Sequence, residues 1–244
     1  MPEQLPSDTI HIYRLRLDLP DQRLQTLNTL LDTEERARSR RFYTPALQRQ
    51  FAAAHGQVRE ILATYLEMPP RNLRFDMGPQ GKPFLPNSSL RFNLSHASGT
   101  ALLALGWEHD LGVDIEDASR RLDFANIAAR FFAPQERQAL EDLPEAEQPA
   151  AFFRCWTAKE AYIKALGGGL SIPLDSFTVS LDGEGSPALR STNTGWQIFR
   201  LDAGQGLAAA LAARSQVHVL ACWRWTETGR ALPTQQEPLR ALPG

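Results

Sequence analysis

The sequence predicts an α+β fold. Three observations carry this. Short apolar or alternating runs such as Ile10–Leu17 and Leu111–Asp117 suit strands. The stretch from Ala46 to Leu66 and the run from Phe152 have helical period. Glycine, proline and capping residues punctuate the segments between them. The 244 residues suffice for one large domain or two of about 100–120 residues. Hydrophobic residues make up 43% and charged residues 22%, which is enough to build an ordinary core. A net charge of −2 gives no global attraction to nucleic acid or to an acidic membrane surface. Cys155 and Cys222 make no disulfide framework, and no CxxC or Cys/His cluster points to zinc. No apolar run approaches a spanning helix, and the first fifteen residues lack a basic segment followed by an apolar one. A cytoplasmic protein without a membrane partner is the expectation.

Taken in order, Ile10 to Leu17 alternates as a strand with a slip of phase at Tyr13. Pro20 opens a polar helix running on through Leu24, Leu27, Leu30 and Leu31, and Asp32 or Thr33 caps the next one. An arginine-dense stretch follows (Arg36, Arg38, Arg40, Arg41, Arg49, Arg59), a pattern that suits a solvated helix face. The helix from Ala46 ends at Pro69-Pro70. Leu73–Met77, Leu90–Leu94 and Ala101–Trp107 read as strands, with Gly81-Lys82-Pro83 as a turn and Ser95-His96 at a strand end. Arg121–Phe132 reads as an amphipathic helix, Pro134 starts another, and Gln148 leads into the long one. A turn and a strand follow in SIPLDSFTVSL. Trp196–Arg200, Leu207–Ala212 and Val217–Trp225 suit strands, and the tail from Thr226 is expected to be poorly ordered.

The chemistry concentrates in the run from Phe152 to Leu170, which ends in Gly167-Gly168-Gly169. Trp156, Glu160 and Lys164 recur at intervals of four and share one helix face. Such a Glu–Lys spacing also makes an ordinary surface pair. In the strand LGVDIED, Gly112, Asp114 and Glu116 face one side, which projects two carboxylates together. Like charges so placed call for a cation between them, either a hard divalent ion or lysine and arginine neighbours. Asp114, Glu116 and Glu160 suit Mg²⁺, and Mn²⁺ fits the same donors. Lys164, Lys82, His96 and the N-terminal arginines suit phosphate. No GxxxxGK[ST] is present, so this is not a P-loop. The residues point to metal-dependent attack at phosphorus and leave the substrate open.

Gly112-Val113-Asp114-Ile115-Glu116, followed by Trp156-Thr157-Ala158-Lys159-Glu160-Ala161 and Lys164, resembles the paired signature of the 4′-phosphopantetheinyl transferases. Gly81-Lys82-Pro83, Phe92-Asn93-Leu94-Ser95-His96, Arg40-Arg41-Phe42-Tyr43, Phe131-Phe132-Ala133-Pro134-Gln135-Glu136 and the run after Gly167 are similar to further motifs of the larger, Sfp-like branch. The match spans residues 34 to 181. The resemblance implies transfer of the phosphopantetheine arm of coenzyme A to a serine of an apo carrier protein (acyl or peptidyl), with release of adenosine 3′,5′-bisphosphate. It implies a monomer of two similar α+β halves about a pseudo-twofold axis, with coenzyme A in the cleft. Here the halves would be residues 1–110 and 111–225, with 226–244 as a tail. By the same resemblance Asp114, Glu116 and Glu160 would hold Mg²⁺, and Glu160 or a nearby carboxylate would take the serine proton. Lys164 would contact phosphate. Ser95 and His96 would bind the 3′-phosphate, and Lys82 the adenosine side. Trp156 and Lys159 would be an aromatic wedge and a helix-surface cation. Where family members often place a lysine, this chain has Glu35, leaving Arg36 or Arg38, with Arg41 nearby, for the 3′-phosphate. The Phe124–Phe132 helix and the segment to Glu147, with Arg120, Arg121, Arg130 and Arg137, are the expected carrier-docking surface. A Mg²⁺-dependent phosphohydrolase and an inactive coenzyme A-binding module are the alternatives.

Overall fold

Strand β1 (Thr9–Arg16) begins a path in which a long helix crosses each of two sheets, one mixed and one antiparallel. The computed structural model describes residues 5–181 and 195–233. After β1 come α1 (Asp21–Asn28), α2 (Thr33–Arg40) and the long α3 (Pro45–Tyr65). Then follow β2 (Asp76–Met77), β3 (Pro83–Phe84), β4 (Leu90–Ala97), β5 (Thr100–Trp107) and β6 (Leu111–Asp117). Three helices come next, α4 (Phe124–Phe131), α5 (Pro134–Glu141) and α6 (Gln148–Leu166). The chain closes with β7 (Trp196–Leu201), β8 (Leu207–Arg214), β9 (Val219–Trp225) and β10 (Ala231–Pro233).

One sheet has the order β10-β9-β1-β5-β4 and the other β6-β8-β7. In both, a strand leads through a long helix to a hairpin whose second strand pairs back beside the first. Alternation sorts the side chains. Tyr13, Leu15, Leu103 and Leu105 pack under α3 with Ile61 and Leu62. Ile10, Ile12, Leu102 and Ala104 face Leu111, Val113, Ile115 and Leu211 of the other sheet. Ala210 and Ala212 then meet Ala158, Ala161 and Ala165 of α6. Small residues on both sides let this helix lie close to its sheet.

Several expectations shift by local chemistry. Asp32 caps α2 in a reciprocal box with Glu35, so the preceding helix stops at Asn28 and does not reach Leu31. The strand expected over Leu73–Met77 shrinks to a two-residue pairing with β3, and Leu73 turns inward. Asp123 caps α4, which starts it later than Arg121. The segment after Gly167 forms two 3₁₀ turns, with a single bridge at Val179 in place of a strand. Ser95 and His96 lie within β4, which runs on to Ala97. β9 runs parallel to β1, so a strand expected in the second half completes the first sheet. The tail is not wholly loose, because β10 pairs with β9; residues 234–244 lie outside the described residues.

A buried polar cluster ties α3 to β1. His11 Nδ1 lies 2.6 Å from the Tyr65 hydroxyl, which lies 2.5 Å from that of Tyr13. Burial draws the pKa of His11 from 6.5 to about 4. The unfolded chain therefore binds the extra proton between those values, and the His11 contribution is fully present above pH 6.5 and lost as pH falls towards 4. Urea-unfolding stability should fall over that window, with a shallower slope in His11→Asn. Gly112→Ala should cost about 3 kcal/mol or more in the same assay, because its new Cβ would lie 2.2 Å from the Ala161 carbonyl oxygen of α6.

Candidate active site

The site is built where β6 rests on α6. Gly112 leaves no space between strand and helix backbone. Two and four residues further on, the same face of β6 carries Asp114 and Glu116 towards that helix. From α6, Trp156, Glu160 and Lys164 present the opposing surface. Gly167 then ends the helix in the left-handed region (φ 70°) just past Lys164. Lys164 Nζ donates to Asp114 Oδ1 at 2.5 Å and to Ser95 Oγ at 3.1 Å. The Ser95 hydroxyl donates to the same Asp114 oxygen at 2.9 Å. Asp114 Oδ2, also buried, has no hydrogen-bond partner among the described residues.

Charge is unbalanced here. Burial, then the neighbouring Asp114, pushes the Glu116 pKa up, against Arg120, Lys164 and a hydrogen bond from Trp156. Glu160 is raised by burial, then by Asp114, and further by Glu116, with only Lys164 opposing. Three carboxylates thus face the Lys164 ammonium and, at Glu116 alone, the outer Arg120 guanidinium, and Glu160 has no hydrogen bond or ion pair of its own among the described residues. An orphaned buried carboxylate oxygen beside two further carboxylates is a donor set that suits a hard cation. As folded, Lys164 takes the central position, and no three such side chains among the described residues close into a ligand cluster.

Lys159 corrects one expectation. It is fully buried and not on the helix surface. Its ammonium donates to the Leu174 and Phe177 carbonyls, both at 2.7 Å, and pairs with buried Glu136 at 2.8 Å. Glu136 in turn accepts from the Ala133 and Val179 amides. Every proton of the ammonium and both carboxylate oxygens are used, which fixes α6 to α5 and to the turns after Gly167.

A cavity of about 400 Å³ opens on the other side of β4. Phe51, Phe75 and Phe92 form its apolar wall, and Arg38, Arg41 and His55 share its polar side with the carboxylates Asp32, Glu34 and Glu35. Alternation along β4 separates two residues expected to act together. His96 is exposed on the face that carries Phe92 and Leu94, whereas Ser95 is buried against Asp114. Burial, then positive charge at His55 and Lys164, lowers the His96 pKa. Lys82 stands apart from both groups. Its ammonium donates at 2.8 Å to the Leu111 and Lys164 carbonyls, clamping the end of α6 to the start of β6. Burial draws its pKa from 10.5 to about 8, against the pull of Asp110. Arg36 faces a separate hollow with Arg71 and Arg74, so only Arg38 of the two proposed replacements lines the cavity. On the outer side, Arg120 pairs with Glu116 at 3.7 Å, and Arg130 lies over the Phe131 ring.

Two residues escaped the sequence reading. Arg59, grouped with the solvated arginines, is fully buried and bonded to Asp32, Glu35 and the Pro70 and Leu73 carbonyls. His55, one turn before it, pairs with Glu35. The usable signal was position: Arg59 sits in the buried stripe of α3, between Val58 and Ile61.

A family model described as the 4′-phosphopantetheinyl transferase superfamily matches residues 110–213. The chain is 38% identical over 212 residues to the 4′-phosphopantetheinyl transferase HetI of a Nostoc species, covering 85% of this chain and 89% of that protein. It is 32% identical to the 4′-phosphopantetheinyl transferase psf-1 of Bacillus pumilus, covering 82% of this chain and 88% of the relative. For the 4′-phosphopantetheinyl transferase Sfp of Bacillus subtilis the identity is 30%, with 82% and 92% covered.

Breaking the buried pair at Lys159 should show its structural weight. Lys159→Met or Glu136→Gln alone should each cost roughly 3–5 kcal/mol, since each leaves a buried group uncompensated. Chemical unfolding of the double variant should show a loss well below the sum of the two.

Proposed function

This chain belongs to the 4′-phosphopantetheinyl transferase superfamily, and on that footing we propose that it transfers the phosphopantetheine arm of coenzyme A to a serine hydroxyl of an apo carrier protein. The serine oxygen forms a bond to the phosphorus next to the pantetheine. The bond from that phosphorus to the bridging oxygen breaks, and adenosine 3′,5′-bisphosphate leaves with the electron pair. The serine proton passes to a carboxylate of the site.

The observation that carries the reading is Asp114, with one oxygen held by Lys164 and Ser95 and the other buried without a partner. Beside it stand Glu116, paired only with outer Arg120, and Glu160, which has no ion pair among the described residues. Asp114, Glu116 and Glu160 would hold Mg²⁺, or Mn²⁺ with the same donors. Such an ion, when bound, draws negative charge from the pyrophosphate oxygens. Lys164, one turn from Glu160 on the same helix face, would donate to a phosphate oxygen. Glu160, or a neighbouring carboxylate of the same group, serves as proton acceptor. Ser95 holds the Asp114 carboxylate in register. Arg38 and Arg41 line the cavity suited to the nucleotide end and His96 shares a strand face with its wall, whereas Lys82 acts by fixing α6 against β6.

The repeated strand order supports two similar halves, with the cleft between them at β4 and β6. A monomer is the oligomeric state proposed, with α4 and its neighbouring arginines as the carrier surface, since positive charge there complements an acidic partner. No helix among the described residues is long and apolar enough to cross a membrane. The place proposed for the protein is the cytoplasm.

The experiment is a panel of apo acyl and peptidyl carriers incubated with coenzyme A and Mg²⁺. At least one carrier should gain the arm by mass. Asp114→Ala, shown folded by circular dichroism, should lower turnover by about 100-fold or more. Near-normal turnover would remove Asp114 from the site. Bisphosphate release that is equally fast without any carrier would replace transfer with hydrolysis.

A further inference from the structure

We propose that His55, backed by Glu35, contacts the 3′-phosphate of coenzyme A and sets the preference of this chain for a nucleotide bearing that group. The inference rests on the function proposed above and adds to it a residue outside the matched motifs.

His55 is held as a presented group. Its ring stacks on Phe51, with centroids 3.9 Å apart and planes 20° from parallel. Its Nδ1 lies 3.4 Å from Glu35 Oε1. Glu35 is itself fixed, because Oε2 accepts from Arg59 Nε at 2.7 Å and from the Asp32 amide at 3.0 Å. Arg59 behind it is fully buried and bonded on every side. Nδ1 is therefore turned to the carboxylate, and Nε2 has no partner among the described residues, although the ring lines the cavity.

The surroundings suit a phosphate monoester attached to a flat apolar ring. Phe75, Phe92 and Val58 offer an adenine its wall, and Arg38 and Arg41 supply charge beside it. His96 lies on the face of β4 that carries Phe92 and Leu94, two residues of the cavity wall. Other candidates for the phosphate are already engaged: Lys82 by backbone carbonyls, and Ser95 by Asp114.

A carboxylate so near a phosphate would ordinarily repel it. Here burial alone would raise the Glu35 pKa, but His55, Arg59 and the Asp32 amide outweigh it and keep the group ionised. Its charge is thus spent on His55 and Arg59, away from the ligand. With Nδ1 turned to this carboxylate, Nε2 is the ring nitrogen left to meet a phosphate oxygen in the cavity. This accounts for an acidic residue where the family resemblance leads one to expect lysine.

The test compares adenosine 3′,5′-bisphosphate with adenosine 5′-monophosphate in calorimetric binding, and coenzyme A with 3′-dephospho-coenzyme A in transfer. Wild type, His55→Ala and His55→Gln are measured, each checked by thermal unfolding. Wild type should prefer the 3′-phosphorylated member of each pair. His55→Ala should reduce that preference about tenfold or more, mainly through Kd and KM, and His55→Gln less, since it keeps a donor without the charge. An unchanged preference in both variants overturns the proposal, as does an equal loss on both members of a pair or a wild type with no preference. If His55 governs the nucleotide preference but no carrier gains an arm, the transfer reading fails and the His55 contact stands. If arms are transferred and the preference survives in His55→Ala, the reverse holds.

Discussion

The contact of β6 with α6 at Gly112 governs the arrangement of this protein. A strand can approach a helix backbone this closely only where a side chain is missing. The two carboxylates that follow at alternate positions then face Glu160 and Lys164 with no intervening layer. Alanines on β8 and α6 continue the close approach beyond the site. Lys82 reinforces it from outside by joining carbonyls of both elements through one ammonium. The geometry of the acidic group is thus set by backbone proximity, a more rigid constraint than side-chain packing alone.

Around that contact the molecule separates two kinds of charged group. Arg59 with Asp32 and Glu35, and Lys159 with Glu136, have their hydrogen-bonding capacity met inside the fold. They hold elements in place and are closed to ligands. Asp114, Glu116 and Glu160 are supplied with too little positive charge, and Asp114 keeps an unmet oxygen. Unmet polar capacity in a buried place is costly and persists only where the surroundings hold it. That contrast distinguishes the reactive group from the structural ones better than burial does, since Asp114 and Lys159 are both buried.

The parts of the fold legible in the sequence were those with strong period or strict spacing. Alternation in LGVDIED put Gly112, Asp114 and Glu116 on one face, and the interval of four in α6 gave their partners. The cap at Asp32 and the end at Gly167 were readable because each depends on one local residue. What escaped depends on contacts distant in the chain. Nothing local tells that Arg59 meets Asp32 and Glu35, or that Lys159 finds Glu136 across another helix. Ser95 and His96 looked like a pair at a strand end, but once β4 runs through them, alternation sends them to opposite sides. The ammonium of Lys82 likewise has the composition of a ligand group and the partners of a clamp.

The parallel pairing of β9 with β1 has a consequence for how the chain comes into being. During synthesis β1 acquires one neighbour from β5 but must wait for β9, much later in sequence, before its other edge is covered. Until then that edge presents unsatisfied amides and carbonyls beside exposed apolar side chains, a template for wrong pairing with another nascent chain. Completion of this sheet is therefore a pairing of long sequence separation, made by strands other than the one that carries Asp114 and Glu116.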